Sequence, residues 1–110
     1  MYIAIRKYYI IPGTIDEWMR RVQEGFVPII SQVPGFVAYY ALEVRNDEAI
    51  TVSIFDTQAG ADESVRRAAE WVAHNLASLN QGLPEITVGQ ARIQSGLVSL
   101  PMQSQNVFPR

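Results

Sequence analysis

The sequence contains no cysteine and a single histidine, His74, among its 110 residues. Without cysteine the chain can form no disulfide framework, no thiolate metal site and no cysteine nucleophile. A lone histidine without clustered carboxylates also makes a poor metal site. We therefore expect neither a metal nor another cofactor, and any catalysis has to rest on carboxylate, tyrosine or substrate-assisted chemistry.

Charge is scarce as well: charged residues make up 18% of the chain and the formal net charge is -2. No basic patch is present, which argues against nucleic acid as a partner, because such binding depends on lysine and arginine that displace counterions. No apolar run approaches the roughly 18 residues of a membrane-spanning helix. The first residues lack the basic and apolar regions of a signal peptide, so we expect a cytoplasmic protein without membrane contact.

Hydrophobic periodicity predicts strands and helices in the order strand, helix, strand, strand, helix, strand. The strands are expected over residues 2–11, 36–45, 49–56 and 85–94, and the helices from Thr14 and from Ala61. This order is typical of a ferredoxin-like α+β fold, an antiparallel four-stranded sheet with two helices on one face. We assign residues 1–95 to this domain and 96–110 to a C-terminal tail docked on the domain or on a partner subunit.

Local signals refine this outline. Thr14 and Glu17 have the spacing of a capping box at the start of the first helix. Pro28 interrupts the apolar stripe of that helix, so we expect a kink or a second short helix there. Asn46 and Asp47 tolerate positive φ, which predicts a tight hairpin between the second and third strands.

The strands carry apolar or aromatic residues on both faces, although two helices cover only one face of such a sheet. An uncovered apolar face is larger than soluble monomers normally tolerate, so we expect a homodimer formed by sheet packing. The tail has one charged residue and several apolar ones, and we expect it to pack on the partner subunit through Leu97, Leu100, Met102, Val107 and Phe108.

The chain resembles the antibiotic biosynthesis monooxygenase-like group of the dimeric α/β-barrel superfamily over about residues 2–94. The resemblance rests on the element order, on the run Val-Pro-Gly-Phe at 33–36, on Tyr39 and Tyr40, and on Ser-Ile-Phe-Asp at 53–56. It implies two sheets packed as a barrel in a dimer, with a pocket between each sheet and its own helices. Some members of the group oxidise polyphenols with O₂ and no metal or flavin, others degrade haem, and many have no established activity.

Active members of this group commonly carry a tryptophan just after the third strand, where this chain has Thr57 and Gln58. Haem-degrading members use an asparagine on the first strand, which is absent here, and a histidine late in the second helix. Trp71 and His74 do not reproduce the spacing of that helix. No catalytic residue is therefore assigned from the resemblance.

Candidate residues for binding a substrate come from the second helix and the strands. Trp71 and Asn75 at four-residue spacing offer an aromatic wall with a polar anchor, although packing in the core or at an interface is the more common use of such a tryptophan. Tyr9 and Tyr39 can hold a planar aromatic ring or pack in the core. Arg6 can stabilise a phenolate or enolate, or remain solvated. A helical wheel places His74 opposite the core, on the solvent side.

The resulting hypothesis is cofactor-independent oxidation of a small electron-rich aromatic ligand. The alternative is a non-catalytic homodimer of the same fold that binds a small ligand or acts in stress. Haem degradation is a third and weaker possibility, because the asparagine and the histidine spacing are both missing.

Overall fold

The structure is a computed structural model that describes residues 1–96. Its strands are β1 (Tyr2–Tyr9), β2 (Phe36–Val44), β3 (Glu48–Phe55) and β4 (Glu85–Gln90). Its α-helices are α1 (Ile15–Arg21), α2 (Val27–Ile30) and α3 (Gln58–Asn75). A π-helical turn, Val22–Phe26, joins α1 to α2, and a 3₁₀ turn, Ala77–Leu79, follows α3. The predicted tail contacts fall on residues outside the described range.

The four strands form one antiparallel sheet in the order β2-β3-β1-β4. This confirms the ferredoxin-like α+β fold. Two strands are shorter than the sequence indicates. β1 ends at Tyr9, after which Ile10 makes only an isolated bridge to Asn80. β4 ends at Gln90 because that residue lies opposite Tyr2, where its partner β1 begins.

The first helical region comprises α1, the π-helical turn and α2, and it differs from the prediction at its start. The capping box is wrong: the Thr14 hydroxyl donates to the Ile11 carbonyl at 2.7 Å. The carboxylate of Glu17 instead accepts hydrogen bonds from Arg20 and Arg21, each at 2.7 Å. The second short helix expected at Pro28 is present as α2, and the π-helical turn separates it from α1. A proline lacks the N–H that would continue the α-helical ladder, and widening the preceding turn is one way to accommodate it.

The predicted hairpin is confirmed, with Asn46 at φ 66° and Asp47 at φ 59°. Two consecutive residues of positive φ give the turn that matches the twist of the flanking strands. At the start of α3, the Thr57 hydroxyl accepts a hydrogen bond from the Gly60 N–H at 3.0 Å and caps the helix.

Alternation along the strands gives the sheet two very different faces. The helix-covered face presents Ala4, Arg6 and Tyr8 from β1, and β3 adds Ala49, Thr51, Ser53 and Phe55, all buried. These residues pack against Trp18, Val22, Phe26 and Ile30 from the first helical region and Ala61, Ala68 and Leu76 from the second. The other side, which we call the open face, carries Ile3, Ile5, Tyr40, Leu42, Ile50, Val52 and Ile54.

Within residues 1–96, none of the helices combines the length and apolarity needed to cross a membrane.

Candidate functional site

A groove of about 520 Å³ runs between the first helical region and the edge strand β2. This volume lies within the range of small-molecule sites, which is roughly 300–1,000 Å³. Its walls are mainly apolar, with hydrogen-bonding groups from Gln23, Ser31, Tyr39 and Tyr40. The apolar lining includes Met19, Val22, Val27, Phe36, Ala38 and Ala41.

The π-helical turn shapes one wall of this groove. Val22 is its first residue, and Val27 follows directly after its last residue. Both valines line the groove, together with Met19 from the preceding helical turn. Insertions of this kind occur frequently at functional sites because they redirect side chains without ending the helix. Pro28, visible in the sequence, is the local reason for the insertion.

Arg6 occupies the interior between sheet and helices, where it is only 1% exposed. Its Nη2 donates to the carbonyl oxygen of Ser64 in α3 at 2.8 Å. Among residues 1–96, none of the ion pairs involves this guanidinium. Burial lowers the pKa of Arg6 from its ordinary value, partly offset by the nearby phenols of Tyr8 and Tyr39. An arginine starts from so high a value that it stays charged in proteins.

Tyr39 connects the groove to this interior. Its side chain lines the groove, and its ring meets Phe26 edge-on at a centroid distance of 5.8 Å. Burial raises the pKa of Tyr39 well above its usual range, and burial likewise raises the pKa of Tyr8. At neutral pH both phenols are therefore protonated. They can donate hydrogen bonds, but they are poor bases.

Two hydroxyl groups complete the interior, and sequence reasoning did not select them. The side-chain oxygen of Ser53 is buried and has no hydrogen-bond partner within the described part of the chain. The buried Thr51 hydroxyl lies close enough to the Tyr39 phenol to offset part of the rise in the pKa of Tyr39 that burial causes. By contrast, the Ser64 hydroxyl donates to the Ala61 carbonyl at 2.6 Å. We call Arg6, Tyr8, Tyr39, Thr51 and Ser53 the interior polar cluster. It contains a cation and hydroxyl donors but no carboxylate.

Tyr9, a candidate from the sequence, lies away from this cluster. Its hydroxyl donates to the carboxylate of Glu85 on the neighbouring strand, and this hydrogen bond raises the pKa of Tyr9. Lys7 Nζ stands 5.5 Å from the centre of the Tyr9 ring and 3.5 Å from the Glu48 carboxylate. These four residues form a polar group at one end of the open face, so the structure does not bring Tyr9 together with Arg6.

Trp71 lies on the outer side of the helical layer, in contact with the π-helical turn. Its ring is 5.4 Å from that of Phe26. A methyl group at position 25 would lie only 2.7 Å from the Trp71 ring, so Gly25 allows this close approach. Trp71 and Asn75 border a shallow depression of about 320 Å³ rather than the groove beside β2.

Asn75 is exposed, and its amide donates to the Trp71 carbonyl at 2.9 Å. Arg21 donates to the Asn75 carbonyl at 2.9 Å and ties the end of α3 to α1. His74 is exposed on α3, as the helical wheel predicted, with Nδ1 2.8 Å from the Glu70 carbonyl oxygen. A ligand-binding role for Trp71 and Asn75 stays a prediction. Of the five selected residues, Arg6 and Tyr39 lie together in the interior polar cluster, Trp71 and Asn75 lie together at the depression, and Tyr9 lies apart from both pairs.

The described residues contain no group of three or more histidine, aspartate or glutamate side chains placed to hold a metal ion.

Comparison with known proteins matches the first part of the chain to a family model described as antibiotic biosynthesis monooxygenase, over residues 1–75. None of the curated proteins compared with the chain gives a significant match.

Several solved structures are similar in fold at low sequence identity. One is a protein of unknown function from Nitrosomonas europaea, with a TM-score of 0.70 and 18% identity over 86% of this chain and 95% of that chain. Another is a monooxygenase from the gene ActVA-Orf6 of Streptomyces coelicolor, in complex with nanaomycin D. Its TM-score is 0.70 and its identity 17%, over 87% of this chain and 91% of that chain. A third is SnoaB, a cofactor-independent oxygenase from Streptomyces nogalater, with a TM-score of 0.65 and 14% identity over 84% and 94% of the two chains.

Proposed function

The chain belongs to the antibiotic biosynthesis monooxygenase family, and from this membership we propose that it oxidises a small electron-rich aromatic molecule with O₂ and without a cofactor. The observation that carries the proposal is the groove of about 520 Å³ beside β2, with apolar walls and the Tyr39 phenol on its inner side. Apolar walls with few, placed polar groups are typical of sites for planar ligands.

In such a reaction the substrate is itself the reductant. An ionised, electron-rich ring transfers electrons to O₂, one oxygen atom enters the ring and the other leaves as water. The protein contributes a site that holds the ring in place and excludes water. Tyr39 is suited to donate a hydrogen bond to a substrate oxygen, since burial keeps its phenol protonated.

The test is O₂ consumption with a panel of hydroquinones, naphthols and anthrone-type compounds. We expect uptake with at least one of them, and Tyr39→Phe is expected to lower kcat/KM by at least about tenfold through the lost donor. Tyr2→Phe makes the same chemical change on a strand outside the groove and should keep the wild-type rate. No uptake across the panel, or equal rates for the two variants, would contradict the proposal.

The second candidate is a non-catalytic protein that binds the same class of ligand. One observation favours it: among the described residues that line the groove, there is no histidine, lysine, aspartate or glutamate to act as a base. Ligand binding without O₂ uptake would select this alternative over the oxygenase.

We further propose that the protein is a homodimer in which two open faces pack together. Tyr40 is 56% exposed, Leu42 46% and Ile5 40%, although all three are large and apolar. The pairs Ile5–Val52 and Leu42–Ile50 place these side chains next to one another across the sheet. Soluble monomers rarely expose contiguous apolar patches larger than a few hundred Å², and a second copy of the same face would cover this one.

Native mass spectrometry is expected to give a mass of twice 12.3 kDa. Val52→Lys places a charge at the centre of the open face and is expected to shift the protein to monomers, because an unpaired charge is costly to bury. Ala73→Lys adds the same charge at an exposed position of α3 and should leave the dimer intact. A wild-type monomer, or a Val52→Lys dimer of unchanged affinity, would refute the sheet-packed dimer.

A further inference from the structure

Val22 and Val27 both line the groove, although they lie five residues apart in one continuous helical segment. In a regular α-helix, residues at this spacing differ by about 140° around the axis, which places them on different sides. Here the Val27 N–H donates to the Val22 carbonyl, which is the five-residue hydrogen bond of a π-helical turn. The additional residue brings the two valines to the same side. This apolar wall of the groove therefore depends on the π-helical turn.

Helix α3 contacts the turn from outside the groove and holds it at two points. The Trp71 ring lies 5.4 Å from the Phe26 ring, and its Cζ2 atom would be only 2.7 Å from a β-carbon at Gly25. A side chain at position 25 would therefore have to displace the indole or the backbone of the turn. Arg21, the residue just before the turn, donates to the Asn75 carbonyl at 2.9 Å. The turn is thus fixed by a hydrogen bond at its start and by ring packing within it.

The contacts of Phe26 connect the indole to the groove. Phe26 is 3% exposed and meets two rings, that of Trp71 and that of Tyr39 at 5.8 Å. Tyr39 lines the groove, as do the two valines at the ends of the turn. Densely packed interiors transmit small displacements because they contain few voids to absorb them. A shift of the indole can therefore reach Tyr39 through Phe26, and Val22 and Val27 through the backbone of the turn.

We propose that Trp71 is a positioning residue that sets the width of the groove, and with it the size of the aromatic ring that the protein accepts, by holding the π-helical turn through Gly25 and Phe26. This inference rests on the groove of the proposed function and adds the determinant of ligand size. Within residues 1–96, the indole borders shallow depressions on the outer side of the helices and is not part of the groove lining. Trp71 therefore acts on the ligand without touching it.

A measurement without ligand tests the link between Trp71 and the groove. Labelling of methionine ε-methyl groups gives an NMR signal for Met19, which lines the groove one helical turn before Val22. Gly25→Ala places a methyl group against the indole, and we expect it to shift the Met19 signal by more than the line width. Gly89→Ala adds the same group where no atom lies within 4 Å, and the signal should stay in place.

A second substitution is expected to restore the signal. Phenylalanine has no atom at the position of Cζ2, so Trp71→Phe makes room for the methyl group of Gly25→Ala. The double variant should therefore give a Met19 signal closer to wild type than Gly25→Ala alone. An unmoved signal in Gly25→Ala, or a double variant displaced by the sum of its two single variants, would refute the positioning role.

Phenol and 1-naphthol test the effect on ligand size, because they share the hydroxyl group and differ by one ring. The larger compound has more apolar surface to place against Val22 and Val27. We therefore expect Trp71→Phe to lower the affinity for 1-naphthol at least about threefold and to change that for phenol less, as measured by NMR titration. Equal changes for the two compounds would overturn the proposal. This comparison needs no variant at Gly25, so it decides even where Gly25→Ala does not fold.

The two measurements also separate this inference from the proposed function. A Met19 signal that follows Gly25 and Trp71, with no binding of either compound, would reject the proposed function and keep the link between Trp71 and the turn. Binding of 1-naphthol with a Met19 signal that ignores both substitutions would do the reverse.

Discussion

Trp18→Ala is expected to lower the free energy of unfolding by about 4 kcal/mol, within the range measured for large buried side chains. Trp18 is 1% exposed and its ring lies 5.2 Å from that of Tyr8. Its indole N–H donates to the Asn80 side-chain oxygen at 2.8 Å. The substitution leaves a cavity between α1 and β1 and removes the link to the segment after α3.

Trp18→Phe separates the contribution of apolar packing from that of the hydrogen bond to Asn80. It keeps most of the apolar contact and loses the hydrogen bond to Asn80, so we expect a loss of about 1–2 kcal/mol. Urea denaturation at one fixed protein concentration is the appropriate measurement, because association would make apparent stability depend on concentration. A loss for Trp18→Ala no greater than that for Trp18→Phe would show that the site collapses around the smaller side chain.

The order of the elements was predictable because local signals agree with one another. Strand alternation, the Asn46-Asp47 turn and the helical stripes each indicate the same topology. The capping box failed because Glu17 has stronger partners in Arg20 and Arg21 one turn further on. The three-residue spacing of Thr14 and Glu17 shows that the Glu17 side chain can reach back to the backbone. It does not show which of several available partners it binds.

The candidate site was only partly predictable, and one error was avoidable. Arg6 and Tyr9 are three residues apart on one strand, so their side chains point to opposite faces. Tyr8 has the same parity as Arg6, and the structure places it in the interior polar cluster. Trp71 could not be placed from sequence in the same way, because its contact with Gly25 depends on the π-helical turn.

Strand β3 shows why sequence alternation alone cannot identify the buried face. Its residues alternate Ile50, Val52 and Ile54 with Thr51 and Ser53, and a simple rule would bury the first set against the helices. The structure does the opposite, because Ala49 and Phe55 on the Thr51 side meet the helical layer. Thr51 and Ser53 therefore lie in the interior between the sheet and the helices, and Ile50, Val52 and Ile54 lie on the open face. The same inversion motivates the proposed dimer.

Gly60→Val is expected to cost about 3 kcal/mol of unfolding free energy, at the upper end of typical overpacking effects. Gly60 is buried in the first turn of α3. A β-carbon there would lie 2.8 Å from the Phe55 ring and 2.8 Å from the Pro34 carbonyl oxygen. The ring has little room to move, and the carbonyl belongs to the backbone before β2. Ala59→Val, at the exposed neighbouring position, should cost less than about 1 kcal/mol.

The same substitution should also reach the groove. Phe55 meets Phe36 edge-on at 5.9 Å, and Phe36 lines the groove. Displacing Phe55 therefore shifts a groove wall, and we expect Gly60→Val to raise the KM of any phenol that supports O₂ uptake, whereas Ala59→Val should leave that KM unchanged. Steady-state O₂ uptake, measured below the temperature at which Gly60→Val unfolds, checks this expectation. An unchanged KM in Gly60→Val would show that the groove does not depend on the position of Phe55.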